Sequence, residues 1–168
     1  AGLAMQCSDS SDRHTTLIDL DMQKRTVSGV FGLTGQPGIV EFAAGNASQA
    51  DCVHQSHDQA LSLVGSTSQQ TTHTSGDDVR NVLEVLDKLA DANDYVVFDF
   101  PPASRPDQIL QLVAELDQIV IVVQSEVTKT ATAARFIERI EKAHGNIAGV
   151  VLTRARRYMP GWLQRFLG

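Results

Sequence analysis

Three aspartates carry most of the chemical information in this sequence. Asp19 and Asp21 close the stretch TTLIDLD, and Asp99 closes YVVFDFPP. In both places a β-branched, apolar run ends in carboxylate. Such groups are costly at the end of a buried strand unless a cation or a proton meets them. Lys24 and Arg25 follow directly and supply positive charge. An apolar strand ending in Asp suits a Mg²⁺–nucleotide site, because the carboxylate can hold a metal-bound water. Pro101 and Pro102 end the second strand by withholding ladder donors. One strand-end Asp serves equally well as a cap for the next helix. Two in one parallel sheet point to metal or nucleotide chemistry.

The elements that position these residues follow from periodicity. Thr15 to Ile18 reads as a short buried strand, and the glycine-punctuated VSGVFGLTGQPGIVEFAAGN as a loop-rich segment. ALSLVG, residues 60–65, is a second strand. After the polar STSQQTTHTSGDD, Ser75 is a candidate N-cap, with Asp77 and Asp78 facing the positive helix end. Val79, Val82, Leu83, Leu86 and Leu89 then share one face of a helix. YVVFDFPP, QIVIVVQS and NIAGVVLTR complete the strands. RPDQILQLVAEL and VTKTATAARFIERIEKAH are predicted helices. Apolar strands separated by amphipathic helices imply an α/β, doubly wound, mostly parallel sheet with helices on both faces. In such sheets ligands bind beyond the carboxyl ends of the strands, which is where the three aspartates fall.

Composition narrows the classes. The chain has 168 residues, 42% hydrophobic and 20% charged, the balance of an ordinary globular domain. A net charge of −6 argues against nucleic acid bound through bulk charge. No apolar run reaches the ~20 residues of a membrane span, and a cytoplasmic setting is expected. Cys7 and Cys52 lack metal or redox spacing and read as small buried or half-buried thiols. His54, His57 and His73 are expected in polar loops, without ligand spacing. The segment from Arg154 onward holds four arginines and no acid, interleaved with Tyr158, Met159, Trp162, Phe166 and Leu167. It suits an anionic membrane surface or a partner, and equally a terminal helix packed on its own domain.

At these residues the sequence resembles the cytoplasmic P-loop kinase domain of bacterial tyrosine kinases of capsule and exopolysaccharide export, within the Min/Par group of ATPases. LIDLDMQKR resembles the family's second acidic motif and VVFDFPP its Walker B strand; the Phe-Gly-Leu, Pro-Gly and Ala-Gly between them recur in the same order. LDQIVIVVQSEVTKT and IAGVVLTRARRYMPGWL are similar to the remaining core strands and the basic end. The resemblance divides the chain into an α/β domain over 1–153, without its N-terminal P-loop, and a basic amphipathic tail over 154–168.

The resemblance implies ATP and Mg²⁺ as cofactors. Asp21 and Asp99 would hold the metal, mostly through waters, and Asp19 would be the candidate general base for a tyrosine hydroxyl or a water. Lys24 and Arg25 would supply the charge that relatives take from an arginine at the place of Gln23. Thr153 stands where many relatives have an Asn near the adenine. Gly-Lys-Ser/Thr does not occur in these residues; it is expected upstream, AGLAMQCS being the end of the helix that follows it. The given residues alone are then expected to bind ATP poorly. The family's carboxyl-terminal tyrosine cluster is missing: Tyr95, expected to be held in a packed sheet, and Tyr158 are the two tyrosines. The implied role is an autokinase-like regulator of polysaccharide polymerisation or export at the inner face of the bacterial cell membrane. A membrane-anchored polysaccharide copolymerase or transmembrane activator would be its partner, and a homo-oligomer is left open. A Par/Min-type ATPase positioning pilus or cell-pole machinery, and a degenerate non-catalytic binding module, are the alternatives.

Overall fold

The computed structural model describes residues 2–9, 13–56, 61–66, 76–103 and 110–154. It divides into two compact units, Ala1–Ile109 and Leu110–Gly168.

The first unit is built on a four-stranded sheet. Its strands are β1 (Thr15–Asp19), β2 (Val53–Gln55), β3 (Leu61–Val64) and β4 (Tyr95–Asp99), in the spatial order β2-β3-β1-β4. β1 pairs in parallel with β3 and β4, whereas β2 is an antiparallel edge strand on β3. All five residues of β1 are buried, as a central strand of mixed β-branched and apolar residues requires. One sheet face is covered by helix α1 (Gly2–Asp9), the short helix α2 (Thr26–Val30) and the turn after it. Ala4, Leu17, Val27, Leu33, Leu61 and Leu63 form that core, with Phe31 and Val97 packed against it. The long helix α5 (Gly76–Asp91) lies against β4 and against the short helix α3 (Ile39–Ala43), and buries Val85, Leu86 and Leu89.

The segment expected to be loop-rich holds two short helices, α2 and α3, and a third, α4 (Gln49–Cys52), follows it. Gly38 opens α3, and its N–H is taken by the Glu41 carboxylate at 3.1 Å. A side chain at Gly38 has no room, since its Cβ would lie 2.1 Å from the carbonyl oxygen of Gly65. The same carbonyl accepts the Ile39 N–H at 3.1 Å. The Pro-Gly of this segment is therefore a clamp on the end of β3.

In the second unit β5 (Ile119–Gln124) and β6 (Ile147–Thr153) form a parallel pair joined by helix α6 (Thr130–Lys142). Among its described residues, Leu112, Val113, Ile121 and Ile140 are buried. Gly145 ends the α6 connection in their midst, where a Cβ would come within 2.6 Å of both Val113 and Ile140. Of the helix expected over 105–116, residues 105–109 lie outside the described residues. Of the rest, Leu110 is helical, Gln111 and Leu112 form a turn, and Val113–Glu115 is a 3₁₀ segment. No helix among the described residues is long and apolar enough to cross a membrane.

Candidate nucleotide and cation site

The carboxyl edge of the first unit's sheet gathers the predicted aspartates. Asp19 and Asp99 are register partners, the last residues of neighbouring parallel strands. The N–H of Leu20 donates to the Asp99 carbonyl at 2.9 Å, so the chain leaving β1 stays tied to β4 for one more residue.

Asp19 is sealed from solvent and fully engaged. Its Oδ1 accepts the N–H of Asp21 at 3.0 Å, an Asx turn that bends the chain out of the sheet. Its Oδ2 accepts both the N–H and the hydroxyl of Ser28, each at 3.2 Å. Asp21, also buried, repeats the device one step on. Its Oδ1 accepts the N–H groups of Gln23 and Lys24 at 3.2 Å, and its carbonyl accepts the Arg25 N–H at 2.8 Å. Arg25 closes this turn with φ +46°, a left-handed conformation that costs a non-glycine residue about 1 kcal/mol or more. The carboxylates of Asp19 and Asp21 thus fold the loop that carries Lys24 and Arg25, at the sheet's carboxyl edge.

Asp99 is different. It is partly buried, and no hydrogen bond to its carboxylate occurs among the described residues. Burial pushes its carboxyl above the ordinary value of 3.8, and the negative charges of Asp19 and Asp21 push it further the same way. A half-buried carboxylate beside two others is the electrostatic setting a cation relieves. No group of three or more His, Cys, Asp or Glu among the described residues is arranged to hold a metal ion directly. A hard cation that keeps its waters, such as Mg²⁺, is the kind of ion such a carboxylate suits chemically.

The other predicted residues are placed as follows. Thr153 ends β6 in the second unit, its hydroxyl donating to the Val123 carbonyl at 3.4 Å. His54 is on the edge strand β2, where a polar loop was expected, and its Nε2 is buried without a partner among the described residues. Cys52 is buried and Cys7 half-buried, and neither is in a disulfide. Tyr95 corrects the expectation of a packed ring. It opens β4 at the surface, 38% exposed, with the Arg13 guanidinium stacked 5.2 Å from its ring centroid and hydrogen-bonded to its hydroxyl. The first residue of a terminal sheet strand has neighbours on too few sides to be enclosed. His57, His73, Tyr158 and the tail over 155–168 lie outside the described residues. Sequence reasoning missed Ser28, Ser66, Gly38 and Gly65; the Pro-Gly and Gly-Ser pairs were their only signal.

No protein-family model matches the chain. EpsB of Ralstonia solanacearum, named as a tyrosine-protein kinase, is 25% identical over 141 residues, covering 83% of this chain and 18% of EpsB. The tyrosine-protein kinase ptk of Acinetobacter johnsonii is 21% identical over 155 residues, 90% of this chain and 21% of its own. Among solved structures, the VpsO kinase domain matches with a TM-score of 0.78 at 23% identity, over 92% of this chain and 75% of that one. In sequence this chain is similar to proteins named as bacterial tyrosine kinases, and in fold to their kinase domains. It spans about a fifth of the length of the curated kinases it matches. The same α/β fold, shared at the level of fold alone, extends to a plasmid partition protein of Borrelia burgdorferi (TM-score 0.75, 19% identity, 98% of this chain and 76% of that one). It extends also to Cyanothece McdA in a complex with ATP (TM-score 0.71, 21% identity, 89% and 62%).

Proposed function

We propose that this chain is the core of a Mg-ATP-dependent phosphoryl-transfer domain, acting as a tyrosine-autokinase-like regulator of surface polysaccharide polymerisation or export. The observation that carries the reading is the in-register pair Asp19 and Asp99 at the carboxyl edge of a parallel sheet, with Asp21 on the turn beyond. Kinship with proteins named tyrosine kinases narrows the chemistry from nucleotide binding in general to transfer onto tyrosine. Mg²⁺ would supply charge neutralisation for the phosphates during transfer. Asp99 and Asp21 would hold it through water. Lys24 and Arg25 add positive charge on the same loop. Asp19 would accept the proton of the attacking hydroxyl at Oδ1, which takes a single hydrogen bond, from Asp21 N–H; as it stands, it organises the turn. Thr153 is the proposed neighbour of the base. The proposed setting is the inner face of the cell membrane, with a membrane-anchored polysaccharide copolymerase or activator as partner and the basic segment 154–168 as the membrane-facing element.

A second reading, a Par/Min-type ATPase, is favoured by the likeness to the partition protein and by Gln23 in place of a family arginine. One experiment separates the two. The full-length protein is incubated with Mg²⁺ and γ-labelled ATP, and label is followed into protein tyrosine and into free phosphate. Transfer to tyrosine, reduced about 100-fold or more in Asp19→Asn and in Asp99→Asn, is expected. Free phosphate with unlabelled protein would replace the kinase by the ATPase, and neither product would leave a binding module.

A further inference from the structure

We infer that Ser28 is a positioning residue for the acidic site, and that the Pro37-Gly38 clamp on Gly65 sets it. The inference rests on the reading of the three aspartates as the Mg-ATP site.

The argument begins with a single buried hydroxyl. Ser28 is 1% exposed, and its Oγ takes part in two hydrogen bonds at once. It donates to Asp19 Oδ2 at 3.2 Å and accepts the N–H of Ser66 at 3.1 Å. A serine hydroxyl bonded on both sides has lost its rotational freedom, so its position is copied onto whatever it touches. On one side this is the Asp19 carboxylate, whose other oxygen holds the turn carrying Asp21. On the other side is the residue just beyond β3. Ser66 is fixed through Gly65, whose carbonyl accepts the Ile39 N–H and leaves no space for a side chain at Gly38. Gly65 itself is tight: a Cβ there would stand 3.1 Å from Ser28 Oγ and 3.5 Å from Leu33 Cβ.

Three separate segments therefore meet at one hydroxyl: the exit of β1, the helix α2 and the exit of β3. The Asp19 rotamer follows from that junction. A carboxylate merely filling a buried space would need partners for its oxygens, and backbone donors from its own turn would suffice. Here the second oxygen is instead referred to a remote strand, 38 residues away through Ser66. That is the arrangement by which groups behind a ligand or base fix its direction.

The test uses the full-length protein that carries this chain, in two arms. In the first, native-state amide exchange is read at Asp21, Ser66 and, as an internal control for global opening, Leu17. Ser28→Ala is expected to speed exchange at Asp21 and Ser66 by about tenfold with Leu17 unchanged. Equal change at all three, or none, overturns the junction. In the second arm, Ser28→Ala lowers kcat for phosphoryl transfer about 10- to 100-fold, with KM for ATP held within about threefold. The loss disappears in the Asp19→Asn background, because Ser28 acts through that carboxylate. An undiminished loss there overturns the inference. Gly65→Ala, which crowds the hydroxyl without removing it, is expected to give the same pattern and serves should Ser28→Ala fold poorly. If wild-type protein transfers no phosphoryl group, the function proposed above falls, while the exchange arm still decides the role of Ser28.

Discussion

Asp19 and Asp99 stand opposite one another at the ends of β1 and β4, paired in register in a parallel sheet. Register partners in a parallel pair project to the same face, so the two carboxylates share one side of the sheet with strands about 4.8 Å apart. Of this pair, only Asp19 accepts side-chain hydrogen bonds among the described residues.

That asymmetry predicts a pH dependence of stability. The Asp99 carboxyl lies above its ordinary 3.8, through burial first and then the charges of Asp19 and Asp21. In the window from 3.8 up to the raised value, the folded chain keeps a proton that the unfolded chain has released. Stability attributable to this group therefore falls as pH rises through that window and stays low above it. Asp99→Asn removes the titration. Thermal melts in chelator should show the variant melting higher than wild type at pH 7 and the difference closing toward pH 4. A variant less stable than wild type at neutral pH would contradict the account.

Divalent cation should reverse the penalty. Mg²⁺ at ten times its dissociation constant stabilises the folded state by about 1.4 kcal/mol, roughly 3–6 °C for a chain of this size. Asp99→Asn should lose that response. Calorimetry with MgCl₂ against NaCl at matched ionic strength separates site binding from screening. Equal shifts from both salts would leave no site.

How much of this was legible beforehand differs by element. β1, β3, β4, β5 and β6 were readable because each is an apolar run bounded by polar or turn residues. The aspartates were readable because they end such runs. β2 was not, since Val53–Gln55 is three residues long, mostly polar, and becomes a strand only by pairing with β3. The one-turn helices α2 to α4 are too short to show a period. Ser28 was invisible for another reason: its two bonds reach Asp19 and Ser66, and no local pattern records a contact across 38 residues. Tyr95 was misjudged because strand membership was taken for enclosure.

The glycines offer a stability contrast. Gly38→Ala drives a Cβ into the Gly65 carbonyl at 2.1 Å and should cost about 3 kcal/mol or more, since backbone on both sides must move. Gly29→Ala, in α2 with nothing within 4 Å, should be neutral or stabilising by about 0.4–1 kcal/mol. Urea titrations of both check the pair. A tolerated Gly38→Ala would mean that the clamp is slack.

Arg25 should trade stability against activity. Its left-handed backbone favours glycine, so Arg25→Gly should stabilise the domain by up to about 1 kcal/mol. If its guanidinium serves the nucleotide, the same change should raise KM for ATP. Steady-state kinetics beside melting curves decide it: a destabilised variant would show that the turn, not the strain, sets the local energy.

Phosphate placement provides the last prediction. The Tyr95 ring is exposed, but the residue opens β4, four residues and about 13 Å of strand from Asp99. Its own site is at the other end of the strand, so transfer within one molecule is closed by distance. Transfer between molecules must detach the ring from Arg13, whose guanidinium stacks on it and binds its hydroxyl. It must also free a backbone N–H bonded to His14 at 3.2 Å. An exposed tyrosine is thus a poor acceptor here for reasons of tethering, not burial. Tyr95→Phe in the full-length protein should retain tyrosine phosphorylation within about twofold, because the chemistry does not pass through this residue. Arg13→Ala should make the Tyr95 hydroxyl more reactive toward nitration without introducing phosphate there. Mass spectrometry of protein from its native host reads both. Phosphate on Tyr95 that disappears with Asp19→Asn would mean that β4 opens at its start more readily than its pairing with β1 implies.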